Sequence, residues 1–277
     1  THVLRGEDLL SSTPRQIRVY QAMGLALEDY PVFAHLPFVM GQDNAKLSKR
    51  NGEVSIAWYR DKGFLPEAIC NYLALLGWSP GDDRENVTMK ELTELFTVEK
   101  VHSSPARFDM KKLEAINGDK IRALTIDEFL DWSLPFLTKA GVITGTADEI
   151  ALVKLALPLI QERIIMLSEV PAMLKFLFVK NFTVEADSVA KITDDASKQV
   201  LQRSLKELEP LATWNHDSIE AALRSSLIEE MGLKPRIAFG AVRIATTGST
   251  ISPPLFESME LLGKEASLAR IRAGLEL

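Results

Sequence analysis

The chain has 277 residues, of which 46% are hydrophobic and 25% are charged, and its formal net charge is −6. This is the composition of a folded protein with two or three domains, and it excludes a disordered chain. The single cysteine, Cys70, excludes an internal disulfide and a cysteine-rich metal site. We find no apolar run as long as a membrane span and no signal peptide, so we expect a cytoplasmic protein that does not enter membranes. The acidic balance argues mildly against nucleic acids, but a local basic stripe is enough to bind RNA.

The first forty residues have the pattern of one strand–helix–strand unit of a parallel sheet. His2–Arg5 is a predicted strand, Ser11–Pro14 supplies a helix start, Arg15–Leu27 is the predicted helix, and Val32–Met40 is the second strand. A parallel strand is normally buried between neighbours, and no partner strand precedes His2–Arg5. We therefore expect the chain to begin inside a domain.

A basic segment follows the second strand. Lys46, Ser48, Lys49 and Arg50 lie within five positions, just before the turn signal Asn51–Gly52. Such a loop can surround one small anion with two ammonium groups and a guanidinium, as phosphoryl and nucleotidyl transfer require. A run of this kind is more often a solvated basic turn, so its meaning depends on the flanking sequence.

Beyond residue 55 the patterns are helical. An apolar stripe with helical spacing ends at Gly77, which predicts a helix that stops there. The stripe consists of Leu65, Ala68, Ile69, Tyr72, Leu73 and Leu76. Capping signals predict helix starts at Thr88, Thr125, Thr146, Asp217 and Ser252–Pro253, and a stop at Gly263. The predicted fold is mostly α, with a small α/β part at the N-terminus.

Four segments, in order along the chain, are similar to segments of one enzyme family. They are Thr1–Gln16, Lys46–Arg50, Gly63–Ser79 and Val242–Glu257. The first resembles the active-site strand and following helix of bacterial-type glutamyl-tRNA synthetases. The second resembles the KMSKS signature of class I aminoacyl-tRNA synthetases, in the form KLSKR. The third is similar to the stem-contact region of the family, and the fourth to its last anticodon-binding helices.

The resemblance implies three consecutive domains. Residues 1–54 would be the C-terminal part of a Rossmann-type catalytic domain with its KMSKS-like loop. Residues 55–124 would be a helical stem-contact domain. Residues 125–277 would be an all-helical anticodon-binding region, which could divide into 125–182 and 183–277. By this resemblance the intact enzyme joins glutamate to tRNA(Glu), using ATP and magnesium, and is a monomer.

The same resemblance assigns residues around ATP and glutamate. Lys46, Ser48, Lys49 and Arg50 match the catalytic loop, in which Lys46, Leu47 and Lys49 would contact ATP. Arg5 matches the arginine that contacts glutamate; the alternative is a structural salt bridge to Glu7 or Asp8. Asp8 falls near the position whose carboxylate approaches the ATP ribose, and the sequence does not separate it from Glu7. No metal ligands are assigned.

The tRNA-binding candidates are arginines and a lysine in the helical body. Arg60 and Lys62 match the stem-contact region, although both could be ordinary surface charges. Arg163, which we predict to lie on a helix with Gln161 and Glu162, is the candidate for reading the third anticodon base. Arginine can recognise a base edge bidentately. The alternative is a helix-surface arginine paired with Glu162 or Glu169. Arg243 is a further candidate, within a basic scatter made up of Arg236, Arg243, Arg270 and Arg272.

One element of a class I site is missing from the sequence. None of the four histidines, His2, His35, His102 and His216, lies in a His-x-Gly-His motif. We therefore expect the isolated chain to be inactive in adenylation. Two alternatives remain: a stand-alone tRNA-binding module without catalysis, and a glutaminyl-tRNA synthetase, whose anticodon region is built of β-barrels in that family.

Overall fold

The computed structural model describes residues 1–41, 46–47 and 55–277. The chain forms two compact units, Thr1–Lys120 and Ile121–Leu277. The described residues are mostly helical, with a two-stranded sheet at the N-terminus, which confirms the predicted fold class. No helix among them is long and apolar enough to cross a membrane. The predicted division into three domains is not decided by these two units and remains a prediction.

The sheet of the first unit has two parallel strands, β1 (His2–Gly6) and β2 (Val32–Leu36), with Arg5 opposite His35. A 3₁₀ helix, Glu7–Ser12, and α1 (Thr13–Ala22) connect them. The strand–helix–strand order is therefore as predicted.

The predicted ends of two of these elements were wrong. Helix α1 stops five residues before Leu27 because Gly24 takes a left-handed φ of 74°, which interrupts helical geometry. Strand β2 stops at Leu36, not at Met40, because Pro37 has no N–H to donate to the ladder.

The remaining helices of the first unit begin after the second gap in the description. They are α2 (Ile56–Lys62), α3 (Pro66–Leu75), α4 (Met89–Leu95) and α5 (Met110–Ala123), which extends past residue 120. The predicted capping box at Thr88 is present, and Val87 and Leu92 pack in one cluster with Trp78. The apolar stripe of α3 is buried only in part, since Leu73 is 51% exposed.

The second unit is entirely helical in its described residues. Its α-helices are α6 (Ile126–Lys139), α7 (Ala147–Ala156), α8 (Val170–Leu174), α9 (Ala186–Val189), α10 (Asp195–Leu208), α11 (His216–Leu223), α12 (Pro235–Thr247), α13 (Leu255–Leu262) and α14 (Lys264–Leu275). A π-helical segment, Arg224–Glu230, follows α11. Apolar side chains of α10 to α14 form one large buried cluster.

Of the helix starts that capping signals predict in the second unit, two are correct and two are wrong. The boxes at Thr125 and Thr146 are formed. Helix α11 is capped by Asn215, whose side chain accepts from the Ser218 backbone N–H at 2.9 Å, so the predicted start at Asp217 was wrong. Helix α13 begins at Leu255, not at Ser252–Pro253, because a residue that precedes a proline is disfavoured in the α region and Pro253 precedes Pro254.

Candidate functional site

Arg5 lies at the carboxyl end of β1 and is held by two side chains. Its Nε donates to His35 Nε2 at 3.3 Å, and a terminal nitrogen donates to Thr13 Oγ1 at 2.7 Å. The Thr13 hydroxyl is also 3.0 Å from His35 Nε2, which closes a three-membered network. Among the described residues Arg5 forms no ion pair with Glu7 or Asp8. No carboxylate of the described residues is thus paired with the guanidinium at this edge of the sheet, an arrangement that suits an anionic ligand.

Thr13 and His35 belong to this cluster although sequence reasoning did not single them out. The pairing register of the two predicted strands could have indicated His35, because parallel strands of similar length place Arg5 and His35 side by side. The sequence predicts that Thr13 belongs to a helix start. In the structure its hydroxyl accepts a hydrogen bond from Arg5 and does not cap α1.

Glu7 and Asp8, which the sequence could not separate, have different surroundings. Glu7 Oε1 accepts from the Phe38 backbone N–H at 3.2 Å, so this carboxylate ties the start of the 3₁₀ helix to the chain after β2. Asp8 is exposed, and its Oδ1 lies against the backbone of Gly6, 2.5 Å from where a Cβ would be. Of the two, Asp8 is therefore the candidate for a ligand contact.

The basic segment is described at Lys46 and Leu47, whereas Ser48, Lys49 and Arg50 lie outside the described residues. Leu47 N–H donates to Val39 O at 3.0 Å, and Lys46 bridges Met40 in antiparallel fashion. Lys46 Nζ lies 3.6 Å from the centroid of the Phe38 ring. The first residue of the basic segment is thus fixed against the end of the sheet.

Arg60 and Lys62 are exposed in the last turn of α2. Lys62 Nζ is 5.7 Å from the centroid of the Trp58 ring. Cations at a helix C-terminus interact favourably with the backbone dipole, so these positions suit an ordinary surface role as well as an RNA contact. The structure does not bring them next to Arg5 or Lys46 through any described contact.

Arg163 lies in an exposed turn. The prediction that it lies on a helix was wrong. The turn follows a 3₁₀ helix, Leu157–Leu159, and the Arg163 backbone N–H donates to Ile160 O at 2.8 Å. Within the described residues Arg163 forms no ion pair with Glu162 or Glu169. The turn itself is fixed by Gln161, whose Nε2 donates to the carbonyls of Ile121 (2.9 Å) and Leu124 (2.8 Å).

Arg243 lies on α12, and the fold brings it near Arg163 although the two residues are far apart in sequence. Its guanidinium donates to Ser252 Oγ at 2.5 Å and to Pro253 O at 2.7 Å. Burial lowers the pKa of Arg243, the positive charge of Arg163 lowers it further, and Glu257 partly offsets this. Like charges repel, so an electron-rich group bound near both guanidinium groups would relieve this repulsion.

A cleft of about 760 Å³ adjoins Arg243 in the same unit. It combines basic, hydroxyl and aromatic side chains, among them Lys191, Ser197, Arg236, Phe239 and Thr250. Cationic groups suit a sugar–phosphate backbone, and an aromatic ring suits a base face. The exposed Arg236 lines the same cleft as Arg243, and its RNA contact remains a prediction.

Two arginines of the predicted basic scatter have other roles. Arg270 is only 8% exposed and donates to Thr246 O at 2.7 Å and Phe176 O at 2.8 Å. Burial lowers its pKa to about 10. Arg272 is paired with Glu209 at 2.6 Å. The suggested RNA contact was therefore wrong for the buried Arg270, because its donors are used inside the unit.

Two protein-family models together match nearly the whole chain. Residues 108–275 match a family model described as an anticodon binding domain. Residues 1–115 match a model described as the catalytic domain of class I tRNA synthetases (E and Q).

Individual relatives show the same similarity. The chain is 50% identical over 280 residues to a glutamate–tRNA ligase of Saccharopolyspora erythraea, which covers 99% of this chain and 56% of that protein. It is 50% identical over 282 residues to the ligase of a Nocardioides species, covering 99% and 57%. A solved structure of a glutamate tRNA ligase from Elizabethkingia meningosepticum, in complex with its amino acid, is 27% identical with a TM-score of 0.81, covering 100% of this chain and 57% of that one. The chain thus spans a little over half the length of these relatives.

Proposed function

The chain belongs to the anticodon-binding domain family, and from this premise we propose that it is the ATP-loop, stem-contact and anticodon-binding part of a glutamate–tRNA ligase. The reaction would be the ATP-dependent attachment of glutamate to tRNA(Glu) through a glutamyl-adenylate. The observation that carries the proposal is the basic cleft lined by Lys191, Arg236 and Arg243, in the unit that matches the anticodon-binding model.

The proposed division of labour follows the three-domain interpretation. Residues 1–54 would serve adenylation, 55–124 the tRNA stem and 125–277 the anticodon. Arg60 and Lys62 are proposed stem contacts because both are exposed cations on α2. We also propose that the complete protein is a cytoplasmic monomer, as the family resemblance implies.

In the adenylation part, Arg5 is proposed to bind the glutamate side chain or carboxylate. Its network with Thr13 and His35 would hold the planar guanidinium in place at the edge of the sheet, where a bidentate pair can form. Asp8 is proposed to approach the ribose of ATP. Lys46, with Ser48, Lys49 and Arg50, would meet the phosphates, and magnesium would enter as the ATP complex.

We further propose that this chain does not adenylate glutamate by itself. It contains no His-x-Gly-His motif, and large apolar side chains around its sheet are exposed, including Met23 (69%), Leu27 (78%) and Val32 (60%). Apolar surface of this extent normally packs against further protein. In isolation the chain would then act as a tRNA-binding module, the second candidate function. Pyrophosphate exchange separates the two, because exchange needs a complete site.

The test of the anticodon assignment is binding of this chain to tRNA(Glu), beside tRNA(Glu) with its third anticodon base changed, at two salt concentrations. We expect the base change to weaken binding by about 1–3 kcal/mol at both salts, as loss of a bidentate base contact does. Equal and strongly salt-sensitive binding of both tRNAs would leave only backbone electrostatics and would overturn the assignment. The helical second unit already disfavours a glutaminyl-tRNA synthetase with β-barrels in this region.

A further inference from the structure

Phe38 and Lys46 meet across a short antiparallel pairing. Lys46 bridges Met40, and Phe38 lies two residues before Met40, so Phe38 and Lys46 are diagonal neighbours on the same face. Diagonal neighbours are within reach when one side chain is aromatic and the other is long. Here the ammonium nitrogen lies 3.6 Å from the ring centroid, well inside the range of a cation–π contact.

The backbones on both sides of this contact are fixed by hydrogen bonds. The Phe38 N–H donates to Glu7 Oε1 at 3.2 Å, which ties the aromatic residue to the end of β1. On the other side, the Leu47 N–H donates to Val39 O at 3.0 Å. Met40 is held in turn by its own N–H, which donates to Ala106 O at 2.9 Å. The backbone that carries the Phe38 ring and the backbone that carries Lys46 are therefore both held in place.

A lysine side chain loses much rotamer freedom when it must hold an anion. A ring that already holds the ammonium reduces this loss, because the side chain is partly ordered before the anion arrives. The contact uses one side of the ammonium group, and Lys46 remains exposed, so its other N–H donors stay available.

We propose that Phe38 is the positioning residue of Lys46: its ring pre-orders the ammonium group for a polyphosphate. This inference rests on the proposed function, in which Lys46 meets the ATP phosphates. Phe38 touches the lysine and not the ligand, so it acts through Lys46.

The contact itself can be tested on this chain by reductive ¹³C-methylation of its lysines and NMR spectroscopy. Dimethyl-lysine keeps its charge, and a group above a ring face shifts upfield. We expect the signal that lies furthest upfield to belong to Lys46, and Lys46→Arg should remove it and thereby assign it. Lys62, whose Nζ is 5.7 Å from the centroid of the Trp58 ring, should shift less. Phe38→Leu should move it to the position of the other lysines, whereas Phe38→Tyr should retain it. Phe96→Leu, which removes a half-exposed ring elsewhere in the first unit, should leave it unchanged. Absence of an upfield Lys46 signal in the unsubstituted chain would overturn the proposal.

The consequence for binding is tested by calorimetric titration of the unmethylated chain with tripolyphosphate. We expect Phe38→Leu to weaken binding about two- to five-fold, the range that a surface cation–π contact supports, and Phe38→Tyr to restore it. Unchanged or tighter binding to Phe38→Leu would overturn the positioning role, since the ring would then be irrelevant or would compete with the anion. If the unsubstituted chain shows the upfield signal but binds no tripolyphosphate, the proposed ATP-loop function fails, and the role of Phe38 fails with it. That result is distinguishable from a missing ring contact.

Discussion

Arg163 and Arg243 lie near enough that the positive charge of the first lowers the pKa of the second. Arg243 is tethered by Ser252 and Pro253, whereas Arg163 is exposed and has no ion-pair partner among the described residues. One guanidinium is thus fixed by the protein and the other is free to engage a ligand. Neighbouring like charges cost free energy in the unbound chain and are relieved when an electron-rich group binds between them.

Replacement of Arg163 by glutamine should therefore reduce anticodon discrimination without harming the fold. We expect the free-energy difference between tRNA(Glu) and its third-base variant to shrink by about 1–3 kcal/mol, measured by equilibrium binding. Arg272→Gln is the matched control, because Arg272 is an exposed arginine of the same unit that is paired with Glu209. Discrimination that survives Arg163→Gln would assign base reading to another residue.

A second prediction concerns the buried Arg270. Its guanidinium bonds the carbonyls of Phe176 and Thr246 and stacks 3.9 Å from the centroid of the Phe182 ring. Arg270→Met should lower the free energy of unfolding by about 1–3 kcal/mol, because two carbonyls lose their donors inside the unit. Urea denaturation measures the change.

The RNA readout separates this structural role from a binding role. Arg270→Met should leave anticodon discrimination intact in the folded fraction, in contrast to Arg163→Gln. A variant with full stability but weakened tRNA binding would contradict our placement of Arg270 inside the unit.

Local features of the fold, such as helix caps, could be predicted from the sequence better than contacts between residues that are far apart in the chain. The capping boxes at Thr88, Thr125 and Thr146 were correct because each is a local arrangement within four residues. The cluster of Arg5, Thr13 and His35 depends on strand register, which no local pattern contains. The same limit applies to arginines: Arg243 and Arg270 occur in one basic scatter, and only packing separates the half-buried Arg243, which lines the cleft, from the buried Arg270.

A pH dependence is expected from the pair His216 and Glu260, which joins α11 to α13. Glu260 Oε2 accepts from His216 Nδ1 at 2.7 Å and from the His216 backbone N–H at 3.0 Å. The Glu260 carboxylate raises the pKa of His216 above its usual 6.5, and the imidazole lowers the pKa of Glu260 below its usual 4.5.

The direction in which stability changes with pH follows from how many protons the folded and unfolded states bind. The histidine contributes stability below pH 6.5, and this contribution is lost as the pH rises through its raised pKa. The glutamate contributes stability above pH 4.5, and this contribution is lost as the pH falls through its lowered pKa. The pair should therefore stabilise most between pH 4.5 and 6.5. Urea midpoints measured at pH 5.5 and pH 8.5 should differ more in the unsubstituted chain than in His216→Gln. His102→Gln, a histidine of the first unit, is the control and should retain the difference.

The last prediction compares two glycines that share a positive φ but differ in ψ. Gly248 ends α12 with a φ of 84° and a ψ of −8°, whereas Gly263 ends α13 with a φ of 86° and a ψ of 158°. A Cβ on Gly248 would lie 3.1 Å from Thr183 O and 3.3 Å from the Phe182 ring, whereas a Cβ on Gly263 would meet no atom within 4 Å. Alanine at Gly248 therefore carries the strain of a left-handed residue, about 1–3 kcal/mol, together with crowding against backbone. Alanine at Gly263 is not crowded, but the backbone there lies in a region that is essentially confined to glycine.

Both alanine variants should therefore lower the free energy of unfolding, as measured by urea denaturation, but for different physical reasons. We expect Gly248→Ala to lower it by at least about 1–3 kcal/mol, because crowding adds to the left-handed strain, and Gly263→Ala to lower it through backbone conformation alone. The Gly248 carbonyl accepts from the Glu185 N–H at 2.9 Å, so displacement of this turn would also disturb the segment before α9. A loss below about 1 kcal/mol in Gly248→Ala would mean that the contact with Thr183 yields without cost and that alanine tolerates the left-handed turn.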